Sequence, residues 1–226
     1  IKLTYMLELK SIYLNRNKKQ IFRNFNLNLK EKQIILLLGQ NGTGKTTLLE
    51  IITGLIEPTD GEVKIFGKKI EEICSLKKNY FTYLPHKECL KDNLTVHENL
   101  ISWLELTNPS KSYSNYFSQL NIFDLTEFKN TLVRNLSHGQ KKKITLTKLL
   151  LSDAKLWLLD EPLNGIDLKS IKIFKSIVKN HLDKKGSIVI TSHIDPNFKN
   201  CKKVLLKKHK NKKSFSELID KWENFK

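Results

Sequence analysis

Gly39-Gln40-Asn41-Gly42-Thr43-Gly44-Lys45-Thr46-Thr47 is the stretch that leaves this chain least freedom. The apolar run Ile34–Leu38 leads into it, and Leu48-Leu49-Glu50-Ile51-Ile52 continues from it with helical spacing. A G-x-x-x-x-G-K-T pattern between a strand and a helix is the context of a phosphate-binding P-loop. The residue types follow from the chemistry. Gly39, Gly42 and Gly44 let the backbone turn its N–H groups inward around phosphate oxygens. The new helix contributes its positive end. Lys45 offers a point charge to β- and γ-phosphates, and the Thr46 hydroxyl suits a Mg²⁺ shell. A glycine turn with an incidental lysine would not need the strand and helix patterns on either side.

The chain has 226 residues, enough to bury a sizeable core, and 39% of them are hydrophobic. No apolar run approaches the ~18–20 residues of a membrane span, and no basic-then-apolar leader opens the sequence. Ile1 is an unusual first residue, which an atypical start codon or a start at Met6 would explain. The net charge of +17 suits nucleic acid or an anionic membrane surface. Almost all of it is lysine, however, with arginine only at Arg16, Arg23 and Arg134. A dedicated nucleic-acid reader uses arginine for bidentate contacts, so solvated lysine faces are expected and nucleic acid is not. Cys74, Cys89 and Cys201 have no metal-ligand spacing and are expected to be reduced.

In chain order, residues 1–9 and 21–29 read as strands, with Ile21, Phe25, Leu27 and Leu29 on one face and a polar turn over 15–19 between them. Tyr13 or Arg16 is a candidate to stack on a nucleotide base. Strands are expected over 62–66 and 80–84, the second ending at Pro85-His86. Thr95 and Glu98 have capping-box spacing before an apolar helical face. Further helical patterns follow, so 87–136 reads as a mainly helical insertion. Leu136-Ser137-His138-Gly139-Gln140 repeats the capping-box spacing and starts a helix to Leu151. Such a helix start is a second anion site.

Leu156-Trp157-Leu158-Leu159-Asp160-Glu161 is an apolar strand ending in two carboxylates. Asp160 is placed to hold Mg²⁺ through water, and Glu161 to polarise an attacking water. Asp167 precedes a helix over 168–185, and His193 ends a strand over 187–191, where it could reach the γ-phosphate. A lysine-rich tail closes the chain, with a short helix expected from Ser214. The class is α/β: a P-loop core of mixed sheet flanked by helices, an N-terminal antiparallel β subdomain and an inserted helical subdomain.

These motifs, in this order, resemble the ATPase subunits of ABC transporters: Walker A, an LSGGQ-like signature at Leu136–Gln140, Walker B with Asp160 and Glu161, then Asp167 and His193. The resemblance covers about residues 5 to 207. It implies a single ABC ATPase domain over 1–226, with a RecA-like core (1–86 and 152–207), a helical subdomain (about 87–151) and a basic tail (208–226). It implies ATP and Mg²⁺ as ligands and a head-to-tail dimer, a homodimer in the simplest case. Ser137, His138, Gly139 and Gln140 would act in trans on the partner's nucleotide. Glu161 would be the general base, His193 the switch histidine and Asp167 the D-loop carboxylate.

Two departures stand out. His86 replaces the expected Q-loop glutamine and joins the catalytic candidates; an imidazole there would act in a pH-dependent way. His138 stands where a glycine is usual and requires a backbone that tolerates a side chain. Tyr83-Leu84-Pro85-His86 and Leu94–Leu100 also resemble the haem-export ATPases of the cytochrome c maturation system. That resemblance implies a polytopic membrane subunit of CcmB type, with CcmC and CcmD in the wider complex. It places the chain peripherally on the inner membrane, on the cytoplasmic face in a bacterium or the matrix face in a mitochondrion. No haem-ligand motif is present, so direct haem binding is not expected. An ABC ATPase for another substrate, a soluble ABC ATPase acting on ribosomes or nucleic acid, and a catalytically dead ABC domain are the rival readings.

Overall fold

The computed structural model describes residues 5–16, 19–75, 79–107, 116–193 and 195–208. The helix expected from Ser214, and the basic tail beyond Lys208, lie outside the described residues. In chain order the elements are β1 (Leu7–Arg16), β2 (Lys19–Leu29), β3 (Ile34–Leu38), α1 (Lys45–Ile52), β4 (Asp60–Ile65), β5 (Lys68–Lys69), α2 (Ile70–Cys74) and β6 (Phe81–Leu84). After them come α3 (Val96–Thr107), α4 (Tyr116–Asn121), α5 (His138–Leu151), β7 (Leu156–Asp160), α6 (Leu168–Asp183), β8 (Ser187–Thr191) and β9 (Cys201–Leu205).

The expected mixed sheet is present as two sheets. One is parallel, in the order β6-β7-β8-β3-β9; the other is antiparallel, in the order β2-β1-β4-β5. The inner strands β7, β8 and β3 read as almost unbroken apolar runs because both their faces are covered. Alternate residues serve two cores. Ile34, Leu36, Trp157 and Leu159 face a cluster with α3, α4, α5 and α6. Ile35, Leu37, Leu156 and Leu158 face a cluster with α1 and the antiparallel sheet. Each such side chain contributes about 1.5–3 kcal/mol on burial. Strand β9 lies at the edge of the parallel sheet, where exposed Lys202 and Lys203 discourage further strand pairing.

The N-terminal hairpin differs from expectation in two respects. Its strands run to Arg16 and restart at Lys19, since the polar residues stay in the ladder as Asn15↔Gln20 and Arg16↔Lys19. Asn24 takes φ 49°, and the register shifts between Ile12↔Phe25 and Leu14↔Phe22. A one-residue bulge of this kind switches the face that side chains present. Phe22, not Ile21 or Phe25, is therefore the fully buried residue of that stretch.

Both capping boxes form. Glu98 N–H donates to Thr95 Oγ1 at 3.2 Å, and Thr95 N–H to Glu98 Oε2 at 2.7 Å. Gln140 N–H donates to Ser137 Oγ at 3.2 Å, and Ser137 N–H to Gln140 Oε1 at 2.8 Å. Two lysines depart from the solvated-face expectation: Lys142 and Lys148 are buried on α5. They donate to the carbonyls of His86 (3.4 Å) and Cys89 (3.3 Å), and Thr145 between them donates to Glu88 O (3.3 Å). Burial lowers the pKa of both amines. The backbone after β6 is thereby fastened along one face of α5.

Candidate active site

The loop after β3 folds around the ammonium of its own lysine. Lys45, only 6% exposed, donates to Gly39 O at 2.8 Å and Gln40 O at 3.4 Å. Thr43 Oγ1 donates to Gln40 O at 2.9 Å and closes the turn. Gly44, the residue before α1, has φ 95°, and a β-carbon there would come within 2.9 Å of Ile21. A β-carbon on Gly39 would meet Leu206 O at 2.7 Å. Only glycine fits either place. Gly44 gives α1 no side-chain cap, so the first-turn N–H groups are left for an anion. Gln40, Asn41, Gly42 and Thr46 are exposed and Thr47 is half-buried along the same rim. Beside the loop lies a cleft of about 400 Å³ lined by Lys19, Gln20, Ile21, Gly42, Thr43, Lys207 and Lys208. Tyr13 and Arg16, the stacking candidates, do not line it; Lys19–Ile21 of β2 does.

The carboxylates arrive at the end of β7. Asp160 is 1% exposed, and both its oxygens are engaged. Thr46 Oγ1 donates to Oδ2 at 2.6 Å, and Thr191 Oγ1 to Oδ1 at 2.6 Å. The next residue leaves the strand sharply, for Glu161 has φ 49°. For a non-glycine residue this costs on the order of 1–2 kcal/mol. The hydrogen bond from Glu161 N–H to Thr191 Oγ1, 2.9 Å, helps to offset that cost. The turn carries the Glu161 side chain into a ring of nitrogen groups. Oε1 lies 2.7 Å from His193 Nε2 and 3.8 Å from Lys45 Nζ. Oε2 accepts from Asn164 Nδ2 at 2.5 Å and lies 3.6 Å from His86 Nδ1. Lys45, Thr46, His86, Asp160, Glu161 and His193, drawn from four separate stretches of sequence, thus form one cluster.

The remaining candidates form a neighbouring patch. Ser137 is exposed at the start of α5, and His138 is the first residue of that helix. Its backbone is helical, so a side chain at 138 is accommodated without strain. The imidazole Nδ1 lies 3.3 Å from Glu88 Oε1, and a β-carbon on Gly165 would come within 2.9 Å of the ring. Gly139 also lies against Gly165, whose carbonyl a β-carbon on Gly139 would approach to 3.3 Å. Asp167 caps α6 by accepting from Ser170 N–H at 2.7 Å, and its Oδ2 pairs with Lys143 at 2.7 Å. The Lys143 ammonium, followed by that N–H, holds the Asp167 carboxyl well below the usual range. The short stretch from His86 to Glu88 joins the two groups, with His86 turned to Glu161 and Glu88 to His138.

The ABC transporter family matches residues 22–164, from β2 through the carboxylates. The cytochrome c biogenesis ATP-binding export protein CcmA of Reclinomonas americana is 37% identical over 81% of this chain and 83% of its own length. That of Vibrio vulnificus (strain YJ016) is 35% identical over 84% of this chain and 93% of its own. The chain belongs to the ABC transporter ATPases, in the CcmA family. A solved ATP-binding subunit of an ABC transporter superposes with a TM-score of 0.76 at 25% identity, covering 84% of this chain and 80% of that one. The fold and the ATP-binding, ATP-hydrolysing character expected from the sequence are therefore those of a known family. Among the described residues, no helix is long and apolar enough to cross a membrane.

Two further residues of this cluster, Thr191 and Asn164, stand in no motif of the sequence. Thr191 carried one signal, a hydroxyl closing an otherwise apolar buried strand. Asn164 carried none beyond its place in a turn three residues after Glu161.

Proposed function

We propose that this chain is the motor of a haem-export or haem-chaperone-release complex in c-type cytochrome biogenesis, acting as a head-to-tail dimer with ATP at each seam. The convergence of Lys45, Asp160, Glu161 and His193 on one point beside the uncapped start of α1 carries the reading. In this reading the α1 N–H groups and Lys45 bind the β- and γ-phosphates. Glu161 takes a proton from a water whose oxygen attacks the γ-phosphorus. The bond from that phosphorus to the β–γ bridging oxygen breaks, leaving ADP and phosphate. His193 orients Glu161 and donates to a γ-phosphate oxygen, and His86 serves the same cluster from the far side. Thr46 Oγ1 and Asp160 Oδ2, 2.6 Å apart, form the hard-oxygen pair that Mg²⁺ prefers. Mg²⁺ bound there would neutralise charge developing on the phosphates.

Ser137 and Gly139 of one copy would close over the γ-phosphate held by the other, adding donors on its open side and excluding water. Asp167 would belong to the same seam. Binding then favours the closed dimer and hydrolysis releases it. The RecA-like core (1–86 and 152–207) would carry the nucleotide, and the helical part (87–151) the signature. The membrane partner would be a polytopic subunit of CcmB type, with CcmC and CcmD beyond it, and the chain would sit peripherally on the inner membrane. The relatives' name, cytochrome c biogenesis ATP-binding export protein, supports this assignment.

Glu161→Gln tests the reading. Turnover should fall roughly a hundredfold or more while ATP binding persists, and ATP-bound dimers should accumulate on size-exclusion chromatography. Turnover at the wild-type rate would remove Glu161 from the role of base. Co-purification with a small polytopic membrane protein tests the assembly; recovery of ribosomal RNA in its place would overturn it.

A further inference from the structure

We infer that Thr191 is a positioning residue for hydrolysis, whose single hydroxyl sets both the orientation of the Asp160 carboxylate and the backbone turn at Glu161. The inference rests on the reading of those carboxylates given above. Thr191 ends β8, in register with Asp160 on one side and Leu37 on the other, and is fully buried. A hydroxyl there costs free energy unless it is bonded, and the neighbouring Ile188, Val189 and Ile190 show what packing alone would select. Its bonds are specific. The proton goes to Asp160 Oδ1 at 2.6 Å, and a lone pair accepts from Glu161 N–H at 2.9 Å.

Two consequences follow. With Oδ1 engaged, Oδ2 is the Asp160 oxygen turned to Thr46 on the phosphate loop. With its N–H anchored, Glu161 is held in the left-handed turn that aims its carboxylate at His193 and Lys45. One side chain thus aligns the oxygen offered to the cation and the carboxylate offered to water. His193 lies two residues beyond it, so the strand end that carries the histidine also fixes its partner.

Thr191→Val keeps the branched shape and removes the hydroxyl; Thr191→Ser keeps the hydroxyl and removes the methyl. In the full chain, Thr191→Val should lower kcat roughly 10–100-fold, with KM for ATP within about threefold of wild type. The Mg²⁺ concentration giving half-maximal binding of a fluorescent non-hydrolysable ATP analogue should rise about tenfold. Thr191→Ser should restore both to within about threefold. If Thr191→Val does not fold, Thr191→Cys, with its weak donor, should fall between serine and loss of function. Wild-type kcat and Mg²⁺ dependence in Thr191→Val or Thr191→Cys would overturn the inference. So would a Thr191→Ser chain as impaired as the valine variant, since the methyl would then be the part that matters. Failure of the wider reading looks different: an active Glu161→Gln removes the base but leaves the Mg²⁺-binding result, which runs through Asp160.

Discussion

Helices α1 and α5 both begin at loops read as anion sites, and they complete their first turns in opposite ways. Before α1 stands Gly44, with φ 95° and no side chain to offer. Before α5 stands Ser137, which accepts from Gln140 N–H while the Gln140 side chain returns the bond. The first helix start is left open to a ligand. The second is satisfied by its own residues, so its exposed serine still has a hydroxyl proton to donate outward. Helix α6 resembles the second kind, capped by Asp167. In the proposed mechanism the open start would bind phosphate by itself, and the self-capped start would contribute one donor to a triphosphate held elsewhere. That division of labour suits a site completed by a second copy.

The sharpest way to break the contrast is to remove the charge at the open start. Lys45→Ala should weaken ATP binding by roughly a hundredfold or more, measured by equilibrium binding of a fluorescent nucleotide. Ser137→Ala should leave that binding within about threefold while cutting ATP hydrolysis roughly tenfold or more, because in the proposed mechanism it would act only in the closed dimer. The same variant should lose about 1 kcal/mol of stability in urea unfolding, the ordinary cost of an N-cap, and Ser137→Gly should lose less. Equal loss of nucleotide binding in the alanine variants at 45 and 137 would erase the distinction.

The smallest effect belongs to Asp167. Its pKa is depressed in the folded chain, so the Lys143 pair stabilises above the unfolded carboxyl's pKa and that contribution fades as pH falls below about 4. The Asp167 side chain is half exposed, and Asp167→Asn, which keeps the cap, should cost under about 1 kcal/mol at pH 7. The difference between the two chains should be smaller at pH 3 than at pH 7, since it vanishes only once the folded carboxyl itself protonates, as chemical unfolding at the two pH values would show.

What could be read beforehand was whatever one segment decides alone. The phosphate loop, the apolar strand before Asp160 and both capping boxes are local patterns whose chemistry is complete within a few residues. The departures arose where distant segments meet. The bulge at Asn24, which buries Phe22, is set by pairing with β1. Lys142 and Lys148 read as surface lysines until the carbonyls of His86 and Cys89 are brought over them. Asn164 meets the Glu161 carboxylate where the chain bends at 161, and Thr191 meets the Asp160 carboxylate and the Glu161 N–H only because β8 pairs with β7.

That bend has one more outcome. It points the Glu161 carboxylate at Lys45 and His193, the two groups that the proposed mechanism assigns to a terminal phosphate. In that mechanism the triphosphate and the carboxylate share the same two neighbours, so the angle at which the chain leaves β7 governs how closely base and phosphate can approach one another.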